Sequence, residues 1–217
     1  LLRLPRETFK KVSDGVNPRK ATVALIVITV IVIGIGGTIR IYDAGESCPD
    51  WPTCFGTFGF DISEEEQGEW WEEHPEEADS RGSGHRYTSF QIFTVWIHRL
   101  LAGAILGPLV ILNWITIRSR DDISSRSKKA AMVSLILIIS QGAVGWLTVE
   151  LDNEHWSVVL HLGSALAFML CLVWLWMELC KDDDELPSWA EFDPILTRKW
   201  GPILGWVSIG ALVTLFS

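Results

Sequence analysis

The chain has 217 residues, 48% of them hydrophobic, with 12 Trp and a net charge of -9, and its mean hydropathy is positive. Long apolar runs alternate with short charged segments, which is the pattern of a multi-span membrane protein and not of a soluble acidic domain. The acidic excess comes largely from residues 41–87 and 182–193 and argues against nucleic acid as a partner.

Residues 1–20 carry Arg3, Arg6, Lys10, Lys11, Arg19 and Lys20 directly before the first apolar run. From Ala21 to Gly37 there are 17 residues without a charge, and Arg40 stands at the far end. A signal peptide is the competing reading. The run is long for one, and no small-x-small cleavage site follows. Residues 41–87 form the longest polar segment, with CPDWPTC at 48–54 and an acidic stretch around Glu64, Glu65, Glu66, Trp70 and Trp71. A second span is expected over 88–117, a third over 130–149 and a fourth over 156–179, with a tight turn, ELDNEH, at 150–155.

The loop at 118–129 carries Arg118, Arg120, Arg126, Lys128 and Lys129, whereas 41–87 has only Arg81 and Arg86. Basic residues in short loops stay in the cytoplasm, so the N-terminus and 118–129 are expected inside and the cysteine loop outside. Residues 181–199 then form a cytoplasmic loop. A fifth span opens near Trp200, in an apolar run that reaches Ser217. The expectation is an all-α, polytopic four-helix bundle over 21–180 in the plasma membrane, with the start of a fifth transmembrane helix at 200–217. A chain that opens on Leu1 reads as a fragment at both ends.

The centre of the expected bundle is TVWIHRLLAG at 94–103, which puts His98 and Arg99 inside an apolar span. Ionisable groups at that depth need a partner, a cavity or a ligand. Spans 2 and 4 both run inward from the outer side, and His98 and His161 fall about 15 Å and 8 Å below that interface at 1.5 Å per residue. Two neutral imidazoles facing one chamber can ligate a haem iron from both sides. The bland alternative is a pair of histidines bonded to backbone between packed helices. A bare metal is a poor fit, because two His without a neighbouring Cys or carboxylate make a thin ligand set. Gln141, in the third span, reads either as interhelical glue or as a donor to a ligand. Gly34, Gly36, Gly37, Gly142 and Gly145 permit close approach of helices or of a flat ligand. Arg40 reads as an interfacial anchor, and Arg99 as a bidentate partner for a carboxylate such as a haem propionate. Cys48 and Cys54, separated by five residues including two prolines, suit a small-loop disulfide, either as a staple or as a redox pair. Cys171 and Cys180 read as packing residues, and His74, His85 and His155 are assigned no ligand role.

Taken together, GGTIRIYDAGESCPDWPTCFG at 36–56, HRLLAG at 98–103, QGAVGWLTV at 141–149 and LHLGSALAF at 160–168 resemble the haem A synthase family of cytochrome oxidase assembly proteins. Members usually have eight spans in two related halves, and this chain looks like the first half with the start of the second. Half-length archaeal relatives also exist, but the fifth span argues against that form. The resemblance implies oxidation of a methyl substituent of haem O to the formyl group of haem A, with oxygen from water or dioxygen. It implies that His98 and His161 hold the substrate haem or a haem b, and that Cys48 and Cys54 are the family's outer-loop pair. The implied partners are haem O, haem O synthase, an electron donor the sequence does not identify, the lipid bilayer and, as an open expectation, a second copy of the chain. One position departs from the family. Val95 stands where Glu is common, three residues before the His. The departure admits a lineage variant, a carboxylate from elsewhere, or a b-type haem-binding membrane protein that carries electrons or haem without oxidising it. A quinone-linked disulfide-forming protein is a third class, but it needs two outer cysteine pairs where this chain has one.

Overall fold

The computed structural model describes residues 15–77 and 81–185. The expected basic segment before residue 15, most of the 181–199 loop and the expected fifth span at 200–217 lie outside them. Four helical stretches are long and apolar enough to cross a membrane. Helix α1 spans Pro18–Ile41, and a short helix α2, Glu64–Glu73, follows in the long loop. The second span is composite: α3 covers Ser89–Arg99, a π-helical segment covers Leu100–Leu106, and α4 covers Gly107–Ser119. Helices α5, Ser125–Glu150, and α6, His155–Asp182, complete the bundle. The chain is a multi-pass, all-α membrane protein.

Local sequence accounts for where these helices start. Asn17 accepts a hydrogen bond from the Lys20 amide at 3.1 Å, and Pro18 follows at the first helical position, where its missing N–H costs nothing. Thr88 and Gln91 close a capping box at the head of α3, and Ser124 accepts from the Ser127 amide ahead of α5. Within the spans, the buried Thr22 and Thr29 hydroxyls donate to the carbonyls one turn back, Pro18 and Leu25, so neither is stranded in hydrocarbon.

The helices pack as a ring. Helix α1 lies against α6 on one side and against the second span on the other; α6 packs on α5, and α5 packs on α4. The second span and α6 therefore stand across the ring from each other. Apolar cores form at three levels. Ile117, Ile123, Ala130, Ala131, Leu175 and Leu179 close the end opposite the cysteine loop. Leu25, Leu106, Val110, Phe168 and Leu172 fill the middle. The third core belongs to the loop: Ala44, Cys48, Cys54, Phe55, Ile62, Trp71 and Tyr87 pack on Ile92 and Val95 of α3.

The π segment is a departure from the regular helix expected over 88–117. Pro108 has no N–H and its ring crowds the carbonyl of Ala104, one turn back. The chain widens ahead of it, so the Gly107 N–H reaches the Ala102 carbonyl, five residues back. The widened turn begins immediately after His98 and Arg99.

Candidate functional site

Between the middle core and the loop core lie the polar residues of the spans. His98 is half-buried at the end of α3, and its Nδ1 is 3.2 Å from the Val32 carbonyl of α1. A carbonyl only accepts, so Nδ1 carries the proton and Nε2 keeps its lone pair. Gly36, one turn further along α1, faces the same ring; a Cβ there would lie 3.4 Å from His98 Cε1. His161 stands on α6, across the ring of helices from the second span.

His161 is also half-buried and is held by α5. The Gln141 amide nitrogen lies 3.1 Å from His161 Nδ1 and 3.0 Å from the His161 carbonyl. Ser164 donates to Gln141 Oε1 and also to the His161 carbonyl, which fixes the amide from its other end. In this orientation Gln141 donates to Nδ1, so the proton of His161 sits on Nε2, the reverse of His98. One turn from Gln141, Gly145 lies against the same imidazole: a Cβ there would meet His161 Cε1 at 2.9 Å. Each histidine thus has one hydrogen-bonding partner on a neighbouring helix and one glycine beside its ring. Gln141 bonds from α5 to His161 of α6, which is the interhelical role the sequence left open for it, with the imidazole as its partner. Ser164 and the Val32 carbonyl were not foreseen. The i+3 spacing of Ser164 from His161 is a usable signal, whereas a backbone carbonyl leaves none.

Arg99 was expected to meet a carboxylate ligand, but its guanidinium is engaged by the loop. Nη1 donates to the Asp50 and Thr53 carbonyls at 2.5 and 2.7 Å, and Nη2 donates to the Cys48 carbonyl at 2.9 Å. The loop is closed by a disulfide between Cys48 and Cys54. It folds down onto α3, so that the Asp50 carbonyl reaches Arg99, the residue next to His98. The Asp50 side chain accepts from the Thr53 hydroxyl and from the Gly56 amide at 3.1 Å, and its Oδ1 is buried without a partner. Val95 is 5% exposed and packs in the loop core with both cysteines.

Arg40 is exposed, and among the described residues its side chain has no hydrogen-bonding or ionic partner. It lies one turn beyond Gly36 and lines a cavity of about 390 Å³ with Asp43, Glu46, Asn153 and His155, among others. Its neighbour carboxylate Asp43 pairs with Arg81 at 3.0 Å. Cys171 and Cys180 are buried thiols. Among the described residues, no group of three or more His, Cys, Asp or Glu side chains is placed to hold a bare metal ion.

A polytopic helical bundle with two imidazoles on facing helices and a disulfide-closed loop above one of them defines the class: a membrane protein built around an intramembrane histidine pair. The sequence model of the family described as "Cytochrome oxidase assembly protein" matches residues 19–216, and the chain belongs to that family. It is similar to the heme A synthase of Shewanella oneidensis, with 32% identity over 152 residues, covering 69% of this chain and 42% of the relative. It is similar to those of Sphingopyxis alaskensis, 25% identical over 177 residues (75% and 49%), and Maricaulis maris, 27% identical over 179 residues (76% and 50%). The chain spans about half the length of the curated relatives it matches. No solved structure matches it.

Proposed function

We propose that the chain acts as a haem A synthase-like membrane oxidoreductase, taking haem O as substrate and converting a ring methyl to a formyl group for terminal oxidase assembly. The observation that carries this reading is the pair of half-buried imidazoles on facing helices, each with a neighbouring-helix partner and a glycine beside it. In this proposal His98 and His161 would hold the haem iron. The bound haem would supply one-electron chemistry, and the protein's part is to hold, orient and enclose it.

Ligation through Nε2 requires the ring proton on Nδ1. The Val32 carbonyl sets this for His98. For His161 the Gln141 amide donates to Nδ1, so ligation through Nε2 would require that amide to turn over and present its oxygen instead. Arg40 is the residue proposed for the propionates. It is unpaired among the described residues and stands one helical turn, about 6 Å, beyond the glycine that touches His98. Arg99 serves the loop instead. The outward placement of the cysteine loop and insertion in the plasma membrane belong to the same proposal.

The second reading is a b-type haem carrier that leaves the ring unchanged. Val95 favours it, because an apolar side chain packed in the loop core occupies the position where a carboxylate is common. Both readings predict that His98→Ala and His161→Ala each abolish the low-spin haem absorption of the purified protein; a spectrum retained in both variants removes the ligand assignment. Mass analysis of haem extracted from cells that make haem O separates the readings. A formyl-bearing haem that depends on this chain supports the enzyme, and unchanged haem supports the carrier.

A further inference from the structure

We propose that Arg99 is a positioning residue that fastens the disulfide-closed loop to the helix bearing His98, so that closure of the Cys48–Cys54 bond is transmitted to the His98 imidazole. The coupling to His98 rests on the haem reading above; the fastening does not.

Three carbonyls from one short loop, those of Cys48, Asp50 and Thr53, converge on one guanidinium at 2.5 to 2.9 Å. Carbonyls in an open loop turn to water. These turn inward because the chain is drawn into a ring, with the Cys48 and Cys54 Cα atoms 4.5 Å apart. The Asp50 side chain braces the ring from inside through Thr53 and Gly56. A planar fork of five donors can serve several spaced acceptors at once, whereas an ammonium is a point charge on a flexible stem. The cage also supplies what a guanidinium inside a span requires, namely acceptors in place of water.

On its other side Arg99 adjoins His98 in the chain, and both precede the π segment. Among the described residues, the hydrogen bond that ties the His98 ring to α1 is the one to the Val32 carbonyl. Release of Arg99 therefore frees the end of α3 to move, and the imidazole moves with it. The loop core adds a second attachment, since both cysteines pack on Ile92 and Val95 of the same helix. The disulfide, the guanidinium and the imidazole form one mechanical series.

The test uses the whole chain in lipid nanodiscs and has two arms. In the first, without haem, excess dithiothreitol reduces the disulfide and alkylation followed by mass measurement gives the rate. Loss of one charge-assisted hydrogen bond is enough to predict that Arg99→Gln is reduced about tenfold faster than wild type, with Arg99→Lys in between. Equal rates overturn the fastening. In the second arm, proteins loaded with iron protoporphyrin IX are compared by the g-values of the low-spin iron. Cys48→Ser/Cys54→Ser and Arg99→Gln are expected to shift the signal in the same sense, with no further shift when combined. An unshifted signal in the disulfide-free variant, or shifts that simply add, overturns the coupling. A wild-type chain that takes up no iron porphyrin removes the haem reading and the coupling together, and the first arm still decides the fastening.

Discussion

Gly145 and Gly36 hold equivalent places beside the two histidines but leave different room. A methyl group on Gly145 would lie 2.9 Å from His161 Cε1, and one on Gly36 would lie 3.4 Å from His98 Cε1. The first distance cannot persist, and the ring it meets is already fixed by Gln141. Overpacking of this kind costs about 1–3 kcal/mol. Gly145→Ala is therefore expected to lower the thermal midpoint and to abolish haem uptake, whereas Gly36→Ala keeps most of both. Pyridine haemochrome assay and thermal unfolding of the two purified variants check this; equal behaviour would show that His161 has slack its contacts do not reveal. Both glycines could be read from sequence as places of close approach, but not what approaches them. Helical periodicity assigns a face, while the choice of imidazole or neighbouring backbone depends on side-chain rotamers. For the same reason Arg99 could be placed at the right depth but not with its partner. Its acceptors are backbone carbonyls some fifty residues away, and carbonyls are the same in every residue.

The loop helix Glu64–Glu73 shows what an acidic stretch conceals. Read as a polar segment, it is a capped helix with its own buried side. Ser63 accepts from the Glu66 amide, and Glu66 accepts from both the Ser63 amide and its hydroxyl at 2.7 Å. Gln67, fully buried, donates to the Tyr87 carbonyl at 3.0 Å and accepts from the Tyr87 amide at 2.8 Å, pinning the helix to the strand of chain that enters α3. The Ser63 amide, followed by the Ser63 hydroxyl, holds the Glu66 carboxyl below its ordinary pKa. A depressed folded value means that the cap's contribution is complete above the ordinary carboxylate range. It is lost as pH falls through the lowered value. The protection of the α2 amides, measured against their intrinsic exchange rates, is thus expected to fall on acidification below that range, and to do so less in Glu66→Gln. The same loss of protection in both proteins would place the acid sensitivity elsewhere. The S-E-E-E signature of the capping box was present in the sequence and carried more structural information than the charge run around it. The π segment was not legible in this way: Leu100–Leu106 is apolar throughout, so composition cannot tell an i+5 turn from an i+4 turn, and only Pro108 marks the place.

At the scale of the molecule, the four spans were legible because hydrocarbon leaves a chain few ways of satisfying its backbone groups, and apolar length alone selects the helix. Charge should then select the orientation. Arg118, Arg120, Arg126, Lys128 and Lys129 stand between α4 and α5, with Arg19, Lys20 and Lys181 at the same end of the bundle. At the cysteine-loop end, Arg81 is neutralised by Asp43 and Glu46, and α2 presents Glu64, Glu65 and Glu66 in its first turn. Because Lys and Arg near span ends resist translocation, the cysteine loop is expected to face outward. Single cysteines introduced at two exposed positions, Glu73→Cys at the end of the loop helix and Asp121→Cys between α4 and α5, test this directly. The native cysteines interfere little, since Cys48 and Cys54 are bonded and Cys171 and Cys180 are buried. A membrane-impermeant maleimide added to intact cells should label the first and spare the second, with both labelled once the membrane is opened. Labelling of Asp121→Cys alone in intact cells would turn the bundle over. The histidines would then lie in the inner leaflet, and a disulfide bond between Cys48 and Cys54 would have to survive in a reducing compartment.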